Sequence, residues 1–256
     1  MVKYRMNNLT GKEWLQNSFS IWRDVNKTPE ERKYNHPASF SVSLCEKLIK
    51  TFSLNDSIVI DPFDGIGTTM KACANLGHRG VGIDLSEEYT ETAKERIERA
   101  SDIDLIVGDN RTVMKKMQSE CFDLCITSPP YWDILNMKHS VDKRDSVNYS
   151  DKSEDLGNIS SYTNFLDSLE NVFTEVYRVL KHDRYCLVNV MDIRKRDKFY
   201  PLHSDLADKM KEIGFVYDDI IIWDRQQEYN NMRPLGYPYR FRINKVHEYI
   251  LIFLKK

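Results

Sequence analysis

Short apolar runs alternate with longer amphipathic stretches from about Phe40 to the end of the chain. Apolar or β-branched runs of about four to eight residues predict strands, whereas apolar positions spaced by three and four predict helices. Strands that alternate with helices are typical of a parallel sheet covered by helices. The pattern therefore predicts an α/β fold with a mostly parallel sheet and helices on both of its faces.

The individual elements can be placed from the same pattern. Strands are predicted at 57–60, 80–83, 105–107, 122–127 and 186–191. Helices are predicted at 68–76, 86–100, 162–180 and 202–213, with Ser86 as an N-cap and Gly214 ending the last one. The runs Val216–Trp223 and Glu248–Phe253 predict an antiparallel pair that closes the sheet.

Three segments fall outside this alternation, although residues 1–256 are predicted to form one domain. Residues 1–33 predict a helical extension with one helix over Glu13–Val25, whose aromatic side chains we interpret as packing residues. Residues 133–161 and 224–245 are polar and show neither the apolar runs of strands nor the apolar spacing of helices. Compact domains seldom keep such long loops without a function, so both are predicted to be functional insertions.

The composition is that of a protein that buries a core and does not enter a membrane. Hydrophobic residues make up 41% of the chain, and its longest apolar runs are far shorter than a membrane span. Met1–Met6 lacks the apolar region of a signal peptide. The five cysteines are an odd number without metal-ligand spacing. We therefore predict buried free thiols, no metal site and a reducing, cytoplasmic location.

Charge is balanced over the chain but uneven along it. The formal net charge of -2 by itself disfavours a nucleic-acid-binding protein. Locally, Asp102–Asp109 is acidic, whereas Arg194, Lys195 and Arg196 are consecutive cations and more follow in 224–245. Because binding depends on local charge more than on the total, the nucleic-acid hypothesis stays open.

A glycine-containing segment, Asp61–Thr69, leads from the first predicted strand into a helix. Gly65 and Gly67 permit a tight turn that a ligand can approach closely. The segment differs from the dinucleotide-binding motif, because Met70 stands where the third glycine would be, and it lacks the Gly-Lys of a phosphate loop. It predicts a cofactor loop, with a turn that binds nothing as the alternative.

Polar residues also end the next two predicted strands. Asp84 lies at the tip of the second strand, where a carboxylate can accept hydrogen bonds from ribose hydroxyls. Asp109 and Asn110 follow the third strand, where a side chain can bind an adenine amino group. Each residue alone is equally compatible with a solvated loop. Their order after the glycine segment favours a nucleoside-containing cofactor.

The most specific motif is Thr127-Ser-Pro-Pro-Tyr-Trp132, at the end of the fourth predicted strand. Two consecutive prolines remove two backbone donors and stiffen the turn. What the turn offers is carbonyl acceptors, a serine hydroxyl and aromatic faces. This combination suits a flat base that carries an amino group. The alternative is a strained turn with a structural role only.

These motifs resemble those of the DNA amino-methyltransferases that act on cytosine N4 or adenine N6. Asp61–Thr69 resembles their cofactor loop, Ser128–Tyr131 their catalytic turn, Asn35–Phe40 their motif near the methionine end of the cofactor, and Val246–Ile250 a strand near the end of their catalytic domain. The resemblance implies a Rossmann-like methyltransferase sheet with S-adenosylmethionine as the methyl donor. Asp64 departs from the pattern, since small residues are commoner there.

The resemblance implies two groups of site residues. The catalytic turn comprises Ser128, Pro129, Pro130 and Tyr131, with Trp132 in the base pocket. The cofactor would contact His36, Pro37, Ala38, Phe40, Asp61, Pro62, Phe63, Asp64, Gly65, Gly67, Thr68, Thr69, Asp84, Leu85, Asp109, Asn110 and Ser128.

A third group follows from the two insertions, 133–161 and 224–245, which we predict to be the DNA-recognition elements because they interrupt the alternation of strands and helices. DNA would contact Arg225, Arg233, Arg240, Arg242 and Lys245, because arginine and lysine neutralise phosphates and arginine also reads guanine.

The implied reaction is direct methyl transfer to an exocyclic amine of a base flipped out of double-stranded DNA. Ser128 favours cytosine N4, since the family more often has Asp or Asn before Pro-Pro-Tyr for adenine N6. None of the five cysteines follows a proline, which disfavours C5 methylation. The motifs are also compatible with an RNA or protein amide methyltransferase, and with a non-catalytic cofactor-binding subunit. A cognate restriction enzyme and a second copy of the chain are the protein partners that the resemblance suggests.

Overall fold

The computed structural model describes residues 5–34, 40–97, 100–133, 155–228, 232 and 234–256. The strands in this part of the chain are β1 (Ile21–Trp22), β2 (Ile58–Asp61), β3 (Arg79–Asp84), β4 (Ile103–Val107), β5 (Phe122–Thr127), β6 (Leu180–Val190), β7 (Ile193–Lys195), β8 (Lys198–Tyr200), β9 (Val216–Asp224) and β10 (His247–Lys255). The helices are α1 (Gly11–Asn17), α2 (Val42–Phe52), α3 (Thr68–Leu76), α4 (Glu87–Ile97), α5 (Asn110–Met114), α6 (Tyr162–Val179) and α7 (Leu202–Ile213).

Eight strands form one sheet in the order β1-β9-β10-β6-β5-β2-β3-β4. Strands β2 to β6 pair in parallel, and β10 is antiparallel to both β6 and β9. The predicted mostly parallel sheet with its closing antiparallel pair is thus confirmed. Strands β7 and β8 form a separate two-stranded hairpin, which the apolar pattern did not reveal.

One edge of the sheet collects the ends of many strands. Strands β2 to β6 run in the same direction, so all of them end at this carboxyl edge. Strand β10 runs in the opposite direction and therefore begins there, and the pairing of His247 with Asp224 shows that β9 ends there as well. Every loop that follows β2, β3, β4, β5, β6 or β9 emerges at the carboxyl edge, where open α/β sheets bind their ligands.

Helices cover both faces of the sheet and bury two apolar clusters. Residues of α2, α3 and α4 pack on one face with Val59, and residues of α5, α6 and α7 pack on the other with Ile60. Neighbouring strand residues point to opposite faces, so each strand contributes to both clusters. Two predicted helix boundaries are confirmed, at Ser86 and Gly214, whereas the helix predicted to reach Ala100 is described only to Ile97. The Ser86 hydroxyl accepts from Tyr89 N at 3.2 Å, and Gly214 ends α7 with φ 118°.

The predicted helix over Glu13–Val25 is wrong in its second half. Helix α1 ends at Asn17, and Ile21–Trp22 forms a strand that pairs in parallel with β9. The Trp22 side chain is buried and its Nε1 donates to the Asn17 carbonyl, whereas Trp14 is half exposed. The aromatic residues therefore do not form one packing stripe. The open edge of β9 offered backbone hydrogen bonds that helical spacing alone could not indicate.

Strand β6 is longer than predicted, because it begins at Leu180 rather than at Cys186. Its first residues are polar and hide the strand pattern; Lys181, for example, pairs with Asp123 at 2.7 Å. Of the predicted buried thiols, Cys45, Cys73, Cys125 and Cys186 are buried, and Cys121 is partly exposed. Among the described residues, no helix is both long and apolar enough to cross a membrane.

Candidate active site

The glycine loop, residues 61–69, is held to strand β5 by the buried carboxylate of Asp61. This carboxylate accepts hydrogen bonds from Thr69 Oγ1 at 2.6 Å, Thr127 Oγ1 at 2.5 Å and the Phe63 N–H at 2.9 Å. Burial raises the pKa of Asp61 to about 6, although these hydrogen bonds oppose the shift. Asp61 thus connects the predicted cofactor loop to the residue before Ser128, and its own oxygens are occupied by the protein.

The two loop glycines and the neighbouring Gly82 make close packing possible. Gly65 and Gly67 have φ of 56° and 77°, the left-handed region that favours glycine. A Cβ at Gly67 would lie 2.6 Å from the Ala93 Cβ, so this glycine admits helix α4. A Cβ at Gly82 would lie 2.3 Å from Asp64 Oδ2. The loop is therefore pressed tightly against β3 and α4.

Asp64 is the unusual residue of the glycine loop. Its side chain is 6% exposed, and neither carboxyl oxygen has a hydrogen-bond partner among the described residues. Burial, together with the carboxylates of Asp61 and Asp84, raises the pKa of Asp64 well above its ordinary value. An unsatisfied buried carboxyl destabilises a fold. Burial therefore favours the neutral, protonated form of Asp64, whose unpaired polar atoms destabilise the loop.

Asp84 ends β3 and lies directly beside the glycine loop. Its Oδ2 accepts from the Gly65 N–H at 2.9 Å, and its Oδ1 accepts from the Ser86 N–H at 2.8 Å. These backbone donors fix the carboxylate at the carboxyl edge, where it is partly exposed. A carboxylate has about four acceptor positions, so it can accept ligand hydroxyls as well.

The other residues predicted to bind the cofactor are placed unevenly. Asn110 Nδ2 donates to the Pro62 carbonyl at 2.8 Å, which brings the end of β4 to the glycine loop. Asp109 caps α5 and forms a two-point ion pair with Arg111. Phe40 is buried in the core next to the start of α2. His36, Pro37 and Ala38 lie outside the described residues.

The predicted catalytic turn, residues 128–131, leaves the end of β5 at the carboxyl edge. Ser128 is half-buried, and its Oγ lies 3.3 Å from the Tyr131 hydroxyl. Tyr131 is only 9% exposed, and its hydroxyl donates to Glu248 Oε2 at 2.8 Å. Burial and the Glu248 carboxylate raise the pKa of Tyr131 well above its usual value, which keeps the phenol protonated as a donor.

A buried polar network surrounds Tyr131, and sequence reasoning missed most of it. Asn189 Nδ2 donates to Glu248 Oε2 at 2.5 Å and to the Tyr131 hydroxyl at 3.1 Å. Arg225 forms ion pairs with Glu248 and with Glu228, so its guanidinium serves an internal role. Asn189 Oδ1 has no partner among the described residues. Polar residues inside an otherwise apolar strand were the one available signal of this network.

Trp132 follows the turn and is held in an aromatic cluster. Its φ is 52°, its side chain is buried, and its Nε1 donates to the Ile159 carbonyl at 2.7 Å. Tyr162 and Tyr200 contact its ring edge to face, at centroid distances of 5.2 and 4.9 Å. Trp132 thereby anchors the far side of the catalytic turn. Arg233 and residues 134–154, predicted to contribute to DNA recognition, lie outside the described residues.

The parallel sheet, the glycine loop and the acidic tip of β3 define a Rossmann-like methyltransferase fold. Comparison with family models agrees: residues 2–95 and 122–256 match a model described as DNA methylase (N6_N4_Mtase), and residues 64–136 match one described as methyltransferase domain. Since the first match covers most of the chain, the protein belongs to this DNA methylase family. S-adenosylmethionine is the methyl donor of the family.

Curated proteins and solved structures resemble parts of the chain. Type II methyltransferase M.HpaI of Haemophilus parainfluenzae is 37% identical over 36% of this chain and 29% of its own length. Type II methyltransferase M.MjaI of Methanocaldococcus jannaschii is 29% identical over 59% of this chain and 55% of its own length. The matches thus cover at most about half of these relatives.

Among solved structures, TrmN from Thermus thermophilus aligns with 86% of this chain and 50% of its own length, with TM-score 0.56. Its sequence is only 14% identical, so this likeness concerns the fold alone.

The residues at the carboxyl edge fit S-adenosylmethionine. The glycine loop brings backbone close to the tip of β3, and Asp84 presents a fixed carboxylate suited to ribose hydroxyls. Burial, together with the nearby Asp84 carboxylate, raises the pKa of Asp61 and of Asp64. The negative potential of the Asp61 and Asp84 carboxylates suits a cofactor with a sulfonium and an ammonium group. Asp84 and the glycine loop are therefore the residues that would hold it.

Proposed function

We propose that this chain transfers the methyl group of S-adenosylmethionine to the exocyclic N4 amine of cytosine in double-stranded DNA, with the base flipped out of the helix. The observation that carries the proposal is the Ser-Pro-Pro-Tyr turn, placed beside the glycine loop by the Asp61–Thr127 hydrogen bond. When bound, S-adenosylmethionine supplies an electrophilic methyl group. The rest of the reaction depends on how the chain holds the amine.

The turn presents acceptors for an amino group. The Ser128 hydroxyl and the Pro129 carbonyl would each accept one N–H of the amine, and neither proline offers a competing backbone donor. Two accepted hydrogen bonds draw the amine lone pair out of conjugation with the ring. Tyr131 would stack on the base, and its orientation is supported by the hydrogen bonds of its hydroxyl to Glu248 and Asn189. Rate would come mainly from this orientation.

Ser128 supports cytosine over adenine as the target base. The acceptor oxygen of Ser128 lies one bond closer to the backbone than that of Asp or Asn, which the adenine enzymes of the family more often carry at this position. A longer side chain at position 128 would hold the amine farther from the backbone of the turn than Ser128 does. We therefore assign N4 of cytosine as the product position and N6 of adenine as the alternative that the experiment separates.

Product analysis tests the proposal directly. The purified chain is incubated with unmodified plasmid DNA and S-adenosylmethionine bearing a deuterated methyl group, and the DNA is digested to nucleosides for mass spectrometry. Labelled N4-methylcytosine is expected. Labelled N6-methyladenine would move the assignment to adenine, and label found only in RNA added to a parallel reaction would refute the DNA assignment.

The Ser128→Ala variant is the matched control, because it removes the amine acceptor and leaves the glycine loop intact. It should lose labelled product while retaining cofactor affinity by calorimetry. If wild-type chain binds the cofactor but labels no nucleic acid, a non-catalytic cofactor-binding subunit replaces the proposal. Single-molecule sequencing of the plasmid then identifies the methylated sequence.

A further inference from the structure

The hairpin of β7 and β8 emerges at the carboxyl edge directly after β6. Lys195 pairs with Lys198, so the turn consists of Arg196 and Asp197 alone. Arg196 has φ 54°, which matches the tight two-residue turns of hairpins. Sequence patterns look for glycine or asparagine at such turns, which explains why the hairpin escaped prediction.

Both the tip and the base of the hairpin contact the residues that follow the catalytic turn. The Lys195 ammonium lies 4.2 Å from the centre of the Trp132 ring and forms an ion pair with Asp133. Tyr200, at the end of β8, packs edge to face on the same ring. The hairpin is therefore a direct neighbour of the site at which a flipped base would be methylated.

A second segment docks on the tip of the hairpin. We call residues 234–246 the arginine loop; it precedes β10 and also emerges at the carboxyl edge. Arg240 Nη1 lies 3.0 Å and Arg242 Nη2 2.5 Å from Asp197 Oδ1. Arg242 also donates to the Arg196 carbonyl at 3.1 Å. Asp197 thus joins the two segments into one surface.

This joint surface is strongly basic although the whole chain is slightly acidic. Residues 193–200 and 234–246 contain seven arginines and lysines but a single carboxylate, against a net charge of -2 for the chain. Arg194, Arg196 and Lys198 are exposed. Between the cations, Tyr239 and Phe241 are 95% and 91% exposed. Exposed aromatic rings interleaved with cations are typical of nucleic-acid-binding surfaces.

We propose that the hairpin of β7 and β8, together with the arginine loop, binds the phosphate backbone of duplex DNA beside the flipped base. The choice of DNA as the partner rests on the proposed function. The location of the binding surface rests on its positive charge and on its contact with Trp132. Arg194, Arg196 and Lys198 would contact phosphates, while Asp197 holds the arginine loop in place.

The salt dependence of DNA binding tests this surface. The triple variant Arg194→Ala, Arg196→Ala, Lys198→Ala should bind a fluorescent duplex more weakly, and the slope of log affinity against log salt should flatten by up to about 2.7, at about 0.9 per phosphate contact. Between about 50 and 200 mM salt, the variant would then lose about 40-fold less affinity than the wild type. An unchanged slope would overturn the proposal.

A matched control removes the same charge from the opposite edge. Lys50 in the last turn of α2, Arg79 at the start of β3 and Lys211 in the last turn of α7 are exposed cations there. Their triple alanine variant should keep the wild-type slope. Cofactor affinity by calorimetry checks the fold of each protein, and the charge-retaining variant Arg194→Lys with Arg196→Lys should bind DNA as wild type does.

The DNA-binding surface and the proposed methylation can be refuted independently of each other. A wild-type chain with the expected slope but no methylated DNA would refute the proposed reaction alone, and an active chain whose hairpin variant keeps its slope would refute the surface alone.

Discussion

The hydroxyl of Tyr131 lies 2.8 Å from Oε2 of Glu248, a residue 117 positions later in the chain. Through Glu248, the catalytic turn is connected to Arg225, which follows β9 at the start of the segment predicted to read DNA. One buried carboxylate therefore joins the proposed catalytic turn to the segment that we predict to contact DNA. Substitutions can separate its structural role from the roles of the turn, the cofactor residues and the arginine loop.

Removing the Glu248 side chain should destabilise the fold. Glu248→Ala removes one of the two carboxylates that pair with the largely buried Arg225 guanidinium, and it removes the acceptor of the Tyr131 hydroxyl and the Asn189 amide. Because Glu228 still pairs with Arg225, the expected loss is that of unsatisfied buried donors, about 1–3 kcal/mol. Urea unfolding measures the loss. Arg23→Ala, which breaks the more exposed pair with Asp224, should cost less than about 1 kcal/mol. Equal effects of the two variants would show that the network contributes nothing beyond a surface pair.

Tyr131→Ala should abolish methyl transfer and leave cofactor affinity nearly unchanged, because a stacking residue acts on the base. Tyr131→Phe keeps the ring but leaves Glu248 without the phenol donor and Asn189 without the phenol acceptor, so kcat should fall about tenfold, the equivalent of about 1.4 kcal/mol. Single-turnover kinetics and calorimetry provide the two readouts. If Tyr131→Ala loses cofactor affinity as severely as activity, the turn is structural.

Asp84→Ala should weaken S-adenosylmethionine binding about 10- to 100-fold, since hydrogen bonds to a charged group contribute about 1.5–3 kcal/mol. Asp84→Asn keeps one oxygen, which can accept from either the Gly65 or the Ser86 N–H group, so it should lose less affinity than Asp84→Ala. Asp104→Ala, at an exposed position on β4, is the control for a lost carboxylate. Unchanged calorimetric affinity for Asp84→Ala would remove this residue from the cofactor site.

Asp64→Ala should stabilise the cofactor-free protein, and more so at higher pH. The folded-state pKa of Asp64 is raised by burial, so its contribution is most favourable below the unfolded pKa of about 3.9 and is lost as pH rises through the folded pKa. The gain in unfolding free energy, about 1–3 kcal/mol, should therefore be larger at pH 8 than at pH 5. Urea unfolding at both pH values checks this. A variant less stable than wild type at pH 8 would reveal a partner for the carboxylate.

The paired change Arg240→Ala with Arg242→Ala should weaken DNA binding and flatten its salt slope by up to about 1.8, while cofactor affinity holds. The effect should be smaller than for two arginines that form no ion pair, because Arg240 and Arg242 are both partly neutralised by Asp197. Titration of labelled duplex at several salt concentrations gives the slope. Wild-type affinity and slope in this variant would move DNA recognition to another part of the protein.

Local pattern determined the fold class and the identity of the central motifs. Apolar runs such as Phe122–Thr127 predicted the correct strands because burial on both sheet faces demands apolar residues over a short, regular length. The glycine loop and the Ser-Pro-Pro-Tyr turn were recognisable because their chemistry depends on neighbouring residues. By contrast, the helix predicted over Glu13–Val25 was wrong in its second half, where Ile21–Trp22 forms strand β1. Pairing of this segment with the edge of β9 depends on a contact that the local sequence pattern does not contain.

What only the tertiary structure decided is which distant residues meet. Asp61 reaches Thr127 across the adjacent strands β2 and β5, and Glu248 reaches Tyr131 because β10 runs antiparallel to β6 and so begins where β5 and β6 end. Arg225 carries the same charge inside this network as it would on a DNA surface, so sequence could not separate the two roles. Burial and strand direction separate them, because both depend on contacts between segments far apart in the chain.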